Sequence, residues 1–232
     1  MNDLQIILIR FNMSELTNTQ QLLKAKSTLY VTISALFSDP DTKKFSILLK
    51  PEIQKSILDD CTQLERIMVN DYFNLSMIFS KIIAQLDEDN LEKIHCEFVD
   101  VFGHTLSKKI APYSLEHLKN SDVFFRTQKL ADLNGFYNAF GLEVESIERA
   151  DHISTQAEFL SYLLLKELIA ERDGLLEEMS ICKDAFDLFQ KDHFLDWAIM
   201  FADNTSTKIE GLFYPLVGRL LALLLKPDKI KN

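Results

Sequence analysis

Apolar residues recur along this chain at spacings of three, four and seven, the period of a helix face, from Ser14 almost to Lys226. Ser14 to Phe37 reads as a first long helix, with Leu22, Leu29, Ile33, Leu36 and Phe37 on one stripe. Thr17 and Gln20 stand three apart, as a capping box requires, and Asp39-Pro40 stops the run. A second helix follows Pro51 and carries Ile53, Ile57, Leu58, Cys61, Leu64 and Met68 on one face. From Asp71 to Leu86 the segment is apolar nearly all round, which predicts a helix covered on several sides. The acidic stretch Asp87 to Asn90 leads into a helix over 89–103 that Gly103 closes, and a loop over 104–114 follows.

Helical spacing returns at Leu115 and Leu118, then from Val123 to Phe140, with Gly141 as the closing residue. Leu142 to Ala150 is a polar connector. The next helix is expected to start near residue 155, because Thr155 and Glu158 have capping-box spacing, and to end at Asp173-Gly174. That start leaves Asp151 and His152 in the approach to the helix, where side chains face solvent and a partner. Leu175 to Phe201 forms a further helix, broken near Lys191-Asp192, and Asn204 to Lys226 the last, stopped by Pro227.

Six glycines and five prolines in 232 residues are too few for a protein built of hairpins, so the expected class is all-α. The expected organisation is a single compact multi-helix domain over residues 1–232, with its likeliest hinge at 141–153. No period of a helical solenoid is present. A formal charge of -10 repels nucleic acid and suits a cationic partner. The odd, widely spaced Cys61, Cys96 and Cys182 fit the reduced cytosol and apolar helix windows better than a disulfide framework. The short apolar run at the start lacks the flanks of an export signal, and Leu216 to Leu225 is too short to cross a bilayer and contains Arg219.

None of the glycines forms a phosphate-binding loop. His95, Cys96 and His104 are close in sequence, yet no helical pair or clustered carboxylate completes a metal set, so no metal or cofactor is expected. No serine sits on a Gly-x-Ser-x-Gly turn, and catalysis is not expected. Asp151-His152 reads equally as a helix cap and as a binding turn. Pro112-Tyr113 reads as a rigid turn with a ring packed beneath it, and Trp197 with the aromatic stripe over 186–201 reads as core.

Three stretches give the chain a resemblance to a known family. They are Phe98-Val-Asp-Val-Phe102-Gly103 with Ala111-Pro112-Tyr113; Phe136-Tyr137-x-x-Phe140-Gly141-Leu142 with Glu148-x-x-Asp151-His152 and Glu158-Phe159-Leu160; and Phe189-x-x-x-His193-Phe194-x-x-Trp197-x-x-x-Phe201-Ala202 with Phe213-Tyr214. In order and spacing they resemble the TorD-like chaperones, the relatives of TorD, DmsD and NarJ. Ala111 and Ala150 stand where that family often has proline. The resemblance implies an all-helical cytoplasmic chaperone that recognises the twin-arginine signal peptide or the apo-form of a molybdoenzyme subunit before cofactor insertion and export. It points to Glu148, Asp151 and His152 as the peptide-binding turn, and to Phe98, Phe102, Pro112 and Tyr113 as the neighbouring apolar surface. Carboxylates there suit two guanidinium groups, and the rings suit the apolar run of such a leader. The alternatives are a helical scaffold for a folded partner and a weak guanine-nucleotide hydrolase; either a monomer or a dimer swapped through the hinge is compatible.

Overall fold

Helix α1, Asn18–Leu36, begins where the chain offers a reciprocal cap: the Gln20 amide donates to the Thr17 hydroxyl, and the Thr17 amide donates to Gln20 Oε1, both at 3.2 Å. The computed structural model describes residues 16–68, 74–103, 109–118, 122–144 and 148–226, and within them every regular element is helical. After α1 come a short helix α2, Lys43–Ser46, and a 3-10 turn, Ile47–Leu49. They are too short to leave a period in the sequence; only Thr42, whose hydroxyl caps the Phe45 amide, signals them. Then follow α3, Pro51–Ile67, with proline in its first turn; α4, Leu75–Ile83; and α5, Leu91–Phe98, which runs into a π turn over Val99–Gly103.

The second half contains α6, Val123–Ala139; α7, Ile153–Asp173; α8, Leu176–Phe189; a π turn over Gln190–Phe194; α9, Leu195–Thr207; and α10, Tyr214–Leu224. Gly141 and Gly174 take φ of +69° and +74° after α6 and α7, the left-handed conformation that closes a helix at least cost in glycine. The break expected near Lys191-Asp192 is the second π turn. The junction of the last two helices differs from expectation. Helix α9 continues to Thr207, and α10 starts ten residues later than the expected Asn204, because Pro215 lacks an amide hydrogen and belongs in a first turn. The amides of Leu212, Phe213 and Tyr214 donate to the Glu97 carboxylate, which serves as a cap from another helix. Cys61 and Cys182 are buried as expected, whereas Cys96 is exposed, since α5 turns that side to solvent.

Helices α1 and α7 form the axis of the core. Ser27 and Ser161 donate to each other's carbonyl oxygens at 2.8 Å, and two turns away Ser34 and Ser154 do the same at 2.5 and 2.7 Å. The pairing of 27 with 161 and 34 with 154 makes the two helices antiparallel. Serine is small enough to let the backbones approach, and each buried hydroxyl finds a carbonyl. Around this seam pack Leu29, Ile33, Phe159, Leu160, Phe189 and Phe201, each 1% exposed or less, in one continuous apolar cluster. Helix α3 joins through a buried ion pair, Lys24 Nζ to Asp60 Oδ2 at 2.7 Å and Oδ1 at 2.8 Å. Burial raises the pKa of Asp60 despite the opposing pull of Lys24, because desolvation outweighs that attraction.

Removal of one partner of a buried pair costs about 3–5 kcal/mol, while apolar replacement of both is often neutral. Lys24→Met should therefore destabilise the chain by that order in denaturant titration at neutral pH. Asp60 in this variant has a raised folded pKa, so its ionisation penalises the fold above the ordinary value and vanishes below it; the loss relative to the parent should shrink as pH falls. Lys24→Met with Asp60→Leu should restore most of the stability.

Candidate functional site

The segment Arg149–Ile153 is zipped to the loop that follows the first π turn. The Ser114 amide donates to Asp151 O and the Ile153 amide to Pro112 O, both at 2.9 Å, a one-residue antiparallel bridge centred on Tyr113 and His152. The Tyr137 hydroxyl pins the same segment from α6 by donating to Ala150 O at 2.7 Å. Behind the loop, Gln156 donates to Ser114 Oγ at 3.2 Å and accepts from Trp197 Nε1 at 3.0 Å. Trp197 is thus core, as expected, and its indole hydrogen is also shared with His193 O.

The start of α7 differs from expectation. Its cap is His152, whose Nδ1 accepts from the Ser154 amide at 3.2 Å, so the first helical residue is Ile153. Thr155 and Glu158 have other duties: the Thr155 hydroxyl donates to Arg149 O, and Glu158 pairs with Lys44 at 2.6 Å. A capping box was a sound expectation from spacing. It lost because tertiary partners from α2 and the preceding turn engage both side chains.

Beside this junction opens a groove of about 560 Å3. One wall is aromatic: Phe98 and Phe102, 5.5 Å apart between centroids, with Pro112 and Tyr113. The first π turn carries Phe102 into this wall, and Val101 O at its centre accepts from the amides of Lys109 and Ile110. The rest of the lining is mostly polar and includes Glu143, Glu148, His152, Ser154 and Glu158, with Lys43 and Lys44 among them. Burial raises the pKa of Glu148 above the ordinary 4.5, with Lys44 and Arg149 pulling the other way. Its Oε2 lies 3.9 Å from His152 Nδ1. Lys44 Nζ bridges Glu158 and Ser154 Oγ, at 2.6 and 2.9 Å.

Six of the seven residues singled out in the sequence therefore line one groove: Phe98, Phe102, Pro112, Tyr113, Glu148 and His152. Asp151 does not. It was expected to face solvent, but its side chain is wholly buried, gripped by Arg149 through Nε and Nη2 at 2.9 and 2.8 Å and by the Leu115 amide at 3.2 Å. Asp151 lies in the turn closed by the His152 amide on Arg149 O at 3.1 Å, which folds it beneath Arg149, while the bridge to Tyr113 holds His152 at the groove. His152 is also more buried than expected, at 3% exposure, and meets the groove edge-on to Tyr113 with centroids 5.1 Å apart. Lys44, Glu158 and Ser154 were not singled out for the groove, and α2 carries too short a pattern to have revealed Lys44.

The Ser154 hydroxyl donates to Ser34 O, and His152 Nδ1 takes the Ser154 amide instead of its hydroxyl, so the two are arranged as structure and not as nucleophile and base. Ligand atoms of Asp39, Asp41 and His95 lie within 4.8 Å of one another at the surface. This corrects the expectation that no clustered carboxylates accompany His95; the acids come from the turn after α1, more than fifty residues away in sequence. His95 faces Asp39 through Nε2 at 3.9 Å and Asp41 through Nδ1 at 3.6 Å. Each ring nitrogen of His95 thus faces a different carboxylate.

With this geometry established, comparison with known proteins is informative. A family model described as nitrate reductase delta subunit matches residues 62–203, more than half of the chain. A solved structure from Archaeoglobus fulgidus, described as a redox enzyme maturation protein, is similar with a TM-score of 0.50 and 22% identity, over 85% of this chain and 91% of that one; this likeness is one of fold. No curated protein matches the sequence.

The burial of Asp151 has a measurable consequence. Replacement of an exposed carboxylate stays within about 0.5 kcal/mol of neutral, whereas loss of a buried acceptor costs about 1–3 kcal/mol. Asp151→Ala should fall in the second range in denaturant titration, with His152→Ala near 1 kcal/mol from the lost cap (about 0.5–2).

Proposed function

From the premise that this chain belongs to the nitrate reductase delta subunit family, we propose that it is a cytoplasmic chaperone of redox-enzyme maturation. In this reading it binds the twin-arginine leader of a molybdoenzyme subunit, with or without the apo-subunit behind it, and does so without turnover. One observation carries the reading: a groove of about 560 Å3 is lined by aromatic rings together with the carboxylates of Glu143, Glu148 and Glu158, of which Lys44 already pairs with Glu158. The leader joins guanidinium groups to an apolar run, and both halves of that chemistry are present. Phe98, Phe102, Pro112 and Tyr113 supply apolar area, and Glu148 and Glu143 supply charge in the same groove.

The acids are not equivalent partners. Glu158 is already paired with Lys44, whereas burial holds Glu148 partly desolvated, with its Oε2 3.9 Å from His152 Nδ1. A guanidinium placed on Glu148 relieves the penalty that raises its pKa, so binding and ionisation of Glu148 favour each other. The net charge of -10 speeds encounter with a cationic leader at low salt. Among the described residues no helix is long and apolar enough to cross a membrane.

Calorimetric titration with a twin-arginine leader and its twin-lysine counterpart tests the reading. The arginine form should bind more tightly, and equal affinities would sink it. Glu148→Gln should weaken binding by about 1.5–3 kcal/mol, the range of a hydrogen bond to a charged group. Parent affinity should fall as pH drops through the raised pKa of Glu148, because the protonated carboxyl no longer pairs with a cation, and the Glu148→Gln variant should lack that dependence.

A further inference from the structure

Arg149 makes a contact with the chemistry of a ligand and not only of a structural tie. Its guanidinium lies 4.2 Å from the centroid of the Tyr113 ring. Asp151 grips it with both oxygens, Nε to Oδ1 at 2.9 Å and Nη2 to Oδ2 at 2.8 Å, and Glu116 Oε1 stands 3.5 Å from Nη1. An aromatic face, a two-oxygen acceptor in the guanidinium plane and a second carboxylate at the rim complement a planar fork of donors far better than a point ammonium.

The two sides of this contact are held very differently. Asp151 has 0% side-chain exposure and is fixed by the Leu115 amide, while its backbone is locked in the bridge to the 112–114 loop. Arg149 has 47% side-chain exposure and leans onto the seat from water. A long, half-solvated side chain can leave without opening the core; the buried carboxylate beneath it cannot move away. Tyr113, the floor of the seat, also lines the groove, so the seat borders the cavity. With Arg149 gone, the buried Asp151 carboxylate would lose the guanidinium that engages both its oxygens, and a buried negative charge calls for a replacement cation.

We propose that Tyr113, Asp151 and Glu116 form a guanidinium seat which Arg149 fills in the free chain and which an arginine side chain of a bound peptide takes over. The identity of the incoming arginine rests on the proposed function above; the seat does not. Exchange of one guanidinium for another leaves every hydrogen bond of the seat satisfied, whereas a lysine would leave the two-oxygen acceptor half used. Arg149 thus acts as a tethered competitor that admits arginine and lowers its apparent affinity by the fraction of molecules in which the seat stands open.

The test uses the full chain with Arg149→Ala and small cations in place of the missing side chain. Ethylguanidinium should raise the Tm of this variant saturably and recover most of what the substitution loses, while ethylammonium at equal concentration should not. The double variant Arg149→Ala with Tyr113→Leu should lose the rescue. Equal responses to the two cations, or no response, would overturn the seat. If Arg149→Ala fails to fold, Arg149→Lys keeps the charge without the fork and is read in the same way. In a second arm, a twin-arginine leader should bind Arg149→Ala on the order of tenfold more tightly than the parent, as expected if the seat is open in about a tenth of parent molecules. A leader that binds the parent but gains nothing in the variant overturns the takeover and leaves the proposed function intact. One that binds neither chain defeats the proposed function, and rescue by ethylguanidinium would still uphold the seat.

Discussion

The antiparallel contact between α1 and α7 is the constraint on which the rest of the molecule depends. Two reciprocal serine pairs, Ser27 with Ser161 and Ser34 with Ser154, fix the register and bring the helices close, and no bulkier side chain would permit both the approach and the hydrogen bonds. A one-turn slip would leave four buried hydroxyls facing carbon. Because the seam sets where α7 begins, it also sets where the groove lies. Ser154 belongs to both: its hydroxyl donates to Ser34 across the seam and accepts from Lys44 on the groove wall. The site is the open end of the core's own axis, which is why its polar wall is rigid.

An acidic chain places its carboxylates in distinct circumstances, and the differences sort them into roles. Asp60 is buried against Lys24, where desolvation exceeds attraction, and ties α3 to α1. Glu158 is satisfied by Lys44 and shapes the groove. Asp151 is buried beneath its own arginine. Glu148 is raised by burial while facing the cavity, and a group held uncomfortable in the free state gains most when a cation arrives. Net charge brings a basic ligand near; local desolvation decides where it stops.

Much of this was legible from sequence, and the limits follow from physics. Long helices announced themselves because their apolar period persists over several turns, as in Asn18–Leu36 and Pro51–Ile67, and Gly141 and Gly174 marked their ends because only glycine takes a positive φ freely. The groove's aromatic wall was legible through Phe98, Phe102, Pro112 and Tyr113. Helix α2 was not, since four residues carry no period, and with it Lys44 escaped notice. The start of α7 was misplaced because capping-box spacing is a local signal, and Lys44, more than a hundred residues away, claimed Glu158. Asp39 and Asp41 beside His95 were invisible for the same reason: sequence shows neighbours along the chain and not across it.

The inversion of Asp151 and His152 follows from backbone hydrogen bonds more than from either side chain. Asp151 lies in the turn that the His152 amide closes on Arg149 O at 3.1 Å, while Ser114 and Ile153 donate across to Asp151 O and Pro112 O and hold His152 in an isolated bridge with Tyr113. The two side chains thereby part, with His152 lining the groove and Asp151 buried in the protein. The acid next to the histidine consequently cannot serve as its partner at the surface. It instead fixes the loop that carries Tyr113 and presents a rigid two-oxygen acceptor to whatever guanidinium lies above it. A pair that reads as one recognition unit in sequence is divided in space into a residue that meets the cavity and a residue that holds the cavity's edge.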